Sequence, residues 1–319
     1  MKGVFLDLDT VKPNDLDLSS LHQALPDWEF FGTTAPENIV NVAKDAEVIV
    51  TNKVVLNETV LSRLPRLQLI CVAATGYNNI DLDSCARRGI TVTNVRGYCT
   101  SSVVQHTFAM ILALASRLPS NIKSVSQGRW QASQHFCLLD HTATEVSGKT
   151  LGIVGYGELG KAIAKVAPAF GLRVLLAQRP NGSFQPGRMP LEQMLPATDI
   201  LTLHCPLNRD TRGLIGEKEL RLMKRGSLII NNARGGIVDE KAIAQLLRQG
   251  HLGGAALDVL AEEPPRSGHP LLAPDIPNLI LTPHIAWASN KARQALIEQI
   301  ASNITTYTQG EPKNVVAID

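Results

Sequence analysis

Arg234, Glu263 and His284 are the residue types that acid–base chemistry beside a carbonyl requires. A guanidinium presents a fixed planar fork that suits a carboxylate and polarises an adjacent carbonyl, a task an ammonium serves less well. Imidazole has an unperturbed pKa near neutrality, so His284 can give a proton to a nascent alkoxide or take one from an alcohol. A carboxylate such as Glu263, in Ala261-Glu-Glu-Pro-Pro265, can hydrogen-bond that imidazole and favour its charged form. Each also has a purely structural use: a surface arginine, a solvated loop glutamate, a core histidine. Position sets them apart, because each follows an apolar run that reads as a strand: Ser227 to Asn231, Gly253 to Leu257, and Leu279 to Leu281.

The elements that must position them are announced by Lys149-Thr-Leu-Gly-Ile-Val-Gly-Tyr-Gly-Glu-Leu-Gly-Lys-Ala-Ile-Ala164. An apolar strand ends at Val154, and Leu159, Ile163, Val166 and Phe170 then recur at helical spacing. Gly155-x-Gly157-x-x-Gly160 joins the two. The first glycine permits a tight turn, the second lets backbone approach a pyrophosphate, and the third lets helix and strand pack closely. The helix start adds unpaired N–H groups and partial positive charge, which makes Tyr156, Glu158 and Leu159 cofactor contacts along with the glycines. A second strand, Arg173 to Ala177, arrives at βαβ spacing, and Ile200 to Leu203 continues the sheet. In a doubly wound sheet the carboxyl ends of such strands share one edge, so Arg234, Glu263 and His284 are expected to converge beside a bound nicotinamide.

Upstream, Gly3 to Asp7, Glu47 to Thr51, Gln68 to Ala73 and Ile90 to Asn94 read as strands. They alternate with helical patterns at Ala35 to Lys44, Asn57 to Leu64 and Asp81 to Arg88, the last capped by Asp81 or Asn79. A long buried helix is expected from Ser101 to Leu118, ended by Pro119, then a loop-rich stretch from Gln127 to Ser147. The last helix, Asn290 to Thr308, is free to return to the first domain. The expected fold class is thus α/β and two-lobed, with doubly wound parallel sheets: a Rossmann cofactor domain (100–287) inserted into a flavodoxin-like substrate domain (1–99 plus 288–319), with a cleft between them. Asn52 and Lys53 follow a first-domain strand and are candidates to face that cleft, although a solvated lysine is the simpler use of Lys53.

The 319 residues carry a formal net charge of +2, which gives no reason to expect nucleic acid or an anionic membrane as partner. No apolar run has the length of a membrane span, and Met1-Lys-Gly-Val-Phe-Leu-Asp-Leu-Asp9 reads as a first strand rather than a signal peptide. Five cysteines, odd in number and without a CxxC, point to free thiols and a cytoplasmic location. His135-x-Cys137-x-x-x-His141 lacks a second ligand pair, so no metal is expected.

Across nearly its full length the chain resembles the D-isomer-specific 2-hydroxyacid dehydrogenases. The resemblance rests on Ala74-Thr-Gly-Tyr-Asn-Asn-Ile-Asp81, the glycine motif, Leu203-His-Cys-Pro-Leu207, Asn232-Ala-Arg-Gly-Gly-Ile-Val-Asp239, Gly254-Ala-Ala-Leu-Asp-Val-Leu260 with Glu263-Pro264, and Thr282-Pro-His-Ile-Ala286. It implies that Arg234, Glu263 and His284 are the catalytic set, and that NAD or NADP is the cofactor. Thr75, Cys205, Pro206, Asn232, Ala233, Asp258 and Ala286 would line that cofactor. The Ala74-Thr75-Gly76 backbone would hold the substrate carboxylate, and a homodimer would form through the cofactor domains. Within the family, Asn94-Val-Arg-Gly97, Gln105-His106, His135-Phe-Cys-Leu-Leu-Asp140 and His284-Ile-Ala-Trp-Ala288 look most like glycerate dehydrogenases, also called hydroxypyruvate reductases. That implies reduction of a small 2-oxo acid, hydroxypyruvate first and glyoxylate second.

One departure bears on the cofactor. An acidic residue about 20 positions past the glycines normally takes the ribose 2′-OH, but Gln178 followed by Arg179 stands there. With no carboxylate to repel a phosphate, NADP is expected to serve at least as well as NAD, with Arg179 on the 2′-phosphate; otherwise Arg179 faces solvent and NAD binds through Gln178. Two other readings share this fold: a formate dehydrogenase-like enzyme, which has no use for a proton donor, and a dinucleotide-sensing interaction protein without turnover.

Overall fold

The computed structural model describes residues 1–317, which form two compact units: Met1–Cys99 with the segment from Ala288 onward, and Thr100–Trp287.

The first unit has five parallel strands: β1 (Lys2–Phe5), β2 (Asp27–Phe30), β3 (Val48–Thr51), β4 (Leu69–Val72) and β5 (Thr91–Thr93). Their order is β2-β1-β3-β4-β5, the flavodoxin arrangement, with the switch of direction at β1. β3 and β4 are buried at every residue, as expected of central parallel strands covered on both faces. β2 and a preceding helix, Ser19–Ala24, were not expected from the sequence pattern. β2 is an edge strand whose residues alternate between exposed and half-buried, so Asp27-Trp-Glu-Phe30 carries no continuous apolar signal. The C-terminal helix, Asn290–Thr308, belongs to this unit and buries Leu296, Ile297, Ile300 and Ile304 completely. Burial of such a side chain contributes about 1.5–3 kcal/mol. Arg293 on the same helix makes a two-pronged ion pair with Asp15, both contacts 2.7 Å, and also donates to the carbonyls of Val11 and Lys12.

The second unit is a six-stranded parallel sheet: β6 (Thr150–Val154), β7 (Arg173–Leu176), β8 (Ile200–Leu203), β9 (Ser227–Asn231), β10 (Leu252–Leu257) and β11 (Leu279–Leu281), in the order β11-β10-β9-β8-β6-β7. A single parallel bridge from Met189 to Ala177 continues the edge beyond β7, where a full Rossmann sheet has one more strand. Alternate residues of each strand serve different faces. Leu201, Leu203 and Ile229 pack with Ile243, Leu246 and Leu247. Ile200, Leu228 and Ile230 pack with Phe108, Ile111 and Leu114 of a long helix, Thr100–Ala115.

That long helix ends earlier than the sequence suggested. It stops at Ala115, Arg117 takes a left-handed conformation (φ 52°), and a second helix runs Leu118–Ser126. Pro119 does not terminate a helix here but starts one, since its fixed φ and missing N–H fit the first turn. Among the described residues no helix is long and apolar enough to cross a membrane, and no group of three His, Cys, Asp or Glu side chains is placed to hold a metal ion.

Candidate active site

The glycine loop follows β6, the strand at which the second sheet reverses direction. Gly155 has φ +94°, and a Cβ there would run into the backbone of His204 and Cys205 at the end of β8. A Cβ on Gly160 would overlap the Gly155 carbonyl, so the helix Glu158–Val166 starts tight against the turn. Gly157 differs: a Cβ there would meet nothing within 4 Å. Gly157 is also the helix N-cap and makes no side-chain cap, so the first helical amides face open space. The first and third glycines are therefore required by the fold, whereas the second keeps a cradle clear, and that cradle fits a pyrophosphate.

Around it, Arg188 stacks over the Tyr156 ring at 5.5 Å and the Glu158 carboxylate accepts the Thr100 hydroxyl. Leu159 is half-buried. Burial pushes the Cys205 thiol up to about 11, which keeps it neutral, and the Pro206 carbonyl accepts the Thr211 hydroxyl at 2.6 Å. A cavity of about 330 Å³ opens at the carboxyl ends of β6 and β7, with Val154, Ala177, Gln178 and Arg179 in its wall. The Gln178 amide donates to the Gly182 and Ser183 carbonyls and its oxygen accepts the Gln185 N–H, so its polar atoms serve its own loop. Arg179 is exposed.

Arg234, Glu263 and His284 follow β9, β10 and β11, three adjacent parallel strands, and so lie along one edge. The His284 Nδ1 sits 2.6 Å from Glu263 Oε2, and Glu263 Oε1 accepts the Leu260 N–H at 2.9 Å. With Nδ1 held by a carboxylate, Nε2 is the ring atom left to exchange a proton with a ligand. Neither side chain is deeply buried, at 27% and 35% exposure, so both are reachable. His284 adopts φ 55°, a conformation that costs free energy outside glycine. Its backbone is held there by hydrogen bonds from His284 N to Asp258 O (2.8 Å) and Thr282 O (3.0 Å), and Trp287 Nε1 donates to its carbonyl.

Asp258, expected to line the cofactor, turns both carboxylate oxygens to this loop. Oδ1 accepts Thr282 Oγ1 (2.5 Å) and Ile285 N (2.9 Å), and Oδ2 accepts Ala286 N (2.8 Å). His106 stands behind, with Nε2 3.1 Å from Thr282 Oγ1. The Ala286 carbonyl accepts the Ser102 hydroxyl. On the neighbouring loop Asn231 accepts the Ala233 N–H and donates to the Arg234 carbonyl, which shapes the turn that carries Arg234. Arg234 Nη1 donates to the Ala233 carbonyl at 2.7 Å. Asn232 donates to Thr107, and its own oxygen is buried without a partner, an acceptor left over for a ligand donor. Gly235 lies so close to the Leu260 carbonyl that any Cβ would overlap it, which brings the Arg234 turn against the start of the Glu263 loop.

The remaining candidates lie at the carboxyl edge of the first unit's own sheet. Asp7, 3% exposed after β1, accepts backbone N–H groups of Asn52 (2.8 Å), Lys53 (2.6 Å) and Val54 (3.2 Å). Asn52 is thereby buried and Lys53 exposed. The Ala74-Thr75-Gly76 turn is tied down by Thr75 Oγ1 to the Val95 carbonyl and by Asn94 Nδ2 to the Thr75 carbonyl, both 2.8 Å. Sequence reading missed Asp7, Asn231 and Thr282 as loop-holding residues. Their signal is a polar residue at the last position of an apolar run, which reads equally well as the end of a strand.

These features put the second unit in the class of dinucleotide-binding Rossmann domains. Residues 108–286 match the family model for D-isomer specific 2-hydroxyacid dehydrogenase, NAD binding domain. The chain is 42% identical over 315 residues to the glycerate dehydrogenase of Methylorubrum extorquens, covering 99% of this chain and 98% of that one. Among solved structures it is similar to D-lactate dehydrogenase from Aquifex aeolicus complexed with NAD and lactic acid (TM-score 0.84, 30% identity, 100% of both chains). It is also similar to an NADPH-dependent glyoxylate/hydroxypyruvate reductase from Sinorhizobium meliloti in complex with NADP and malonate (TM-score 0.82, 26% identity, 99% of this chain and 97% of that one). The chain belongs to the D-isomer-specific 2-hydroxyacid dehydrogenase family, and is an oxidoreductase that uses NAD or NADP.

Proposed function

We propose that this enzyme reduces hydroxypyruvate to D-glycerate, with glyoxylate as a second substrate, and that Arg234, Glu263 and His284 carry the reaction. The observation that carries this reading is the His284–Glu263 pair, 2.6 Å apart at the edge of the cofactor sheet. The reduced nicotinamide, when bound, supplies the hydride to C2 of the 2-oxo acid. Arg234 orients the carboxylate and polarises the carbonyl through its fork. His284 Nε2 delivers a proton to the forming alkoxide, while the Glu263 carboxylate stabilises the imidazolium. The Ala74-Thr75-Gly76 amides bind the substrate carboxylate, and Asn52 and Lys53 belong to the substrate site. The glycine cradle, Asn232, Ala233, Cys205, Pro206, Asp258 and Ala286 hold the cofactor.

The substrate choice is supported by the names of two relatives: the 42% identical glycerate dehydrogenase and a hydroxypyruvate reductase of Blautia hydrogenotrophica at 33% identity. We assign NADP as a cofactor at least as good as NAD, because Arg179 is exposed beside the cavity at the end of β7 and Gln178 is engaged by its own loop. Leu118, Ile122, Val125, Trp130, Phe136 and Leu139 are exposed apolar side chains on one helix and the loop after it, which supports a homodimer through this segment. Light scattering that returns the mass of a single chain would sink the dimer. Cysteines 71, 85, 99, 137 and 205 are all free thiols, in keeping with the cytoplasm, which cell fractionation would check.

The reaction is tested by the loss of NADPH absorbance when hydroxypyruvate, glyoxylate, pyruvate and other 2-oxo acids are added in turn. Fastest turnover with hydroxypyruvate supports the reading. NADPH binding without turnover of any of them points instead to a dinucleotide sensor.

A further inference from the structure

Glu263 sits in a segment with little to hold it. Residues 261–268 are exposed apart from a half-buried Pro265, and the next fully buried side chain is Leu271. A loop without apolar burial keeps its shape only through polar anchors. Two consecutive amides at its start go to two different carboxylates. Leu260 N donates to Glu263 Oε1, and Ala261 N donates to Glu240 Oε1 at 2.7 Å. The other oxygen of Glu240 lies 2.8 Å from His269 Nε2, and His269 Nδ1 accepts the Leu271 N–H at 3.3 Å. That second contact fixes the tautomer: Nδ1 is the acceptor, so Nε2 bears the proton and donates it to Glu240. Glu240 thus grips the loop at both ends.

The base of this grip is rigid. Glu240 is in the first turn of the helix Glu240–Arg248, capped by Asp239, whose carboxylate accepts the Lys241 and Ala242 N–H groups. Ile243, Leu246 and Leu247 of the same helix are buried in the core. His269 and Glu240 are themselves only 13% and 10% exposed, so water screens their bond poorly. The other charges of the loop, Glu262 and Arg266, pair with each other.

We propose that Glu240 and His269 are a positioning pair that holds the Leu260–Leu271 loop in the one arrangement that keeps the Glu263 carboxylate on His284. The inference rests on the roles proposed above for Glu263 and His284. Neither Glu240 nor His269 touches substrate or cofactor; they act through Glu263.

The test compares His269→Leu, which removes the donor to Glu240, with His269→Gln, which restores an N–H donor at similar reach. The first readout is the downfield proton NMR signal of the His284 Nδ1–H bonded to Glu263, identified by its loss in Glu263→Gln. The second is kcat with the best 2-oxo acid, against KM for NADPH. His269→Leu is expected to abolish the signal and lower kcat by about ten- to a hundredfold with cofactor KM little changed, the size of effect that a small misplacement of a reacting group produces. His269→Gln is expected to keep both. An unchanged signal in His269→Leu overturns the proposal whatever the rate, as does equal loss in both variants. Should His269→Leu fail to bind NADPH, Glu240→Gln takes its place under the same criteria, because it keeps an acceptor for Ala261 and removes the charge facing His269. A wild-type protein that reduces no 2-oxo acid would refute the proposed reaction, and the NMR signal would still decide the positioning.

Discussion

Asp258→Asn is the sharpest perturbation of the loop that carries His284. The wild-type carboxylate, 1% exposed, accepts from Thr282 Oγ1, Ile285 N and Ala286 N through its two oxygens. Asparagine keeps one acceptor oxygen. If that oxygen faces Thr282 and Ile285, the NH₂ group is aimed at the Ala286 N–H, donor against donor. A hydrogen bond to a charged group is worth about 1.5–3 kcal/mol, and a buried donor left unsatisfied costs about 1–3 kcal/mol. These overlap, so we take about 3 kcal/mol as the loss to the ordered loop, or roughly a hundredfold shift toward an open one. His284 needs that loop to hold its left-handed backbone, so kcat/KM for the 2-oxo acid is expected to fall by up to about a hundredfold. Asp258→Asn should also melt several degrees lower, at about 2–4 °C per kcal/mol for a domain of this size. Steady-state kinetics and calorimetry on the same preparation measure both. Wild-type kcat/KM together with wild-type melting would refute the idea that Asp258 holds the loop.

Three further outcomes are expected. Gly157→Ala should melt like wild type, since its Cβ meets nothing within 4 Å, yet bind NADPH at least tenfold more weakly, whereas Gly160→Ala, whose Cβ overlaps the Gly155 carbonyl, should lose stability; the two differ in which of thermal melting and cofactor titration they change. Burial pushes the His204 imidazole down to about 3, from an ordinary value of 6.5. The unfolded chain therefore takes up a proton that the folded one refuses, so this contribution is fully present above about 6.5 and is lost as pH falls toward 3, the loss reaching about 2 kcal/mol near pH 5. Urea unfolding should accordingly show a smaller drop in stability between neutral pH and pH 5 for His204→Gln than for wild type; an equal drop would contradict it. Arg179→Ala should raise KM for NADPH about tenfold and leave KM for NADH alone, and an equal effect on both would remove Arg179 from the 2′-phosphate.

How much of this was legible in the sequence follows from which interactions leave a pattern. Strands buried on both faces read as near-continuous apolar runs, so β8 and β9 could be read to the residue, and the half-buried edge strand β11 could be too because Leu279-Ile-Leu281 is apolar at every position. The edge strand β2 carries Asp27 and Glu29 on an exposed side and left no such trace. The glycine cradle was legible because each glycine answers a separate steric demand. The break between the helices ending at Ala115 and starting at Leu118 was not, because Pro119 reads equally as a stop and as a first turn. At the site, Arg234, Glu263 and His284 were singled out because reactive type and strand end coincide. Asp7 and Asn231 act by accepting backbone N–H groups, which any carboxylate or amide in reach can do, so their one mark, a polar residue closing an apolar run, reads equally as a strand end; Asp258 was named for the cofactor, and its hold on the His284 loop was not foreseen. Gln178 shows the same limit: its place after β7 suggested the ribose, but its side chain is spent on residues 182–185.

The proposed reduction depends on His284 as its proton donor. Rapid mixing of the NADPH complex with hydroxypyruvate, followed by NADPH absorbance in a single turnover, measures that step in wild type and in His284→Ala. His284→Ala is expected to bind NADPH as wild type does and to lose about 10²–10⁴ in the rate of hydride transfer, the usual contribution of a positioned acid. A His284→Ala enzyme that transfers hydride at near the wild-type rate would contradict it.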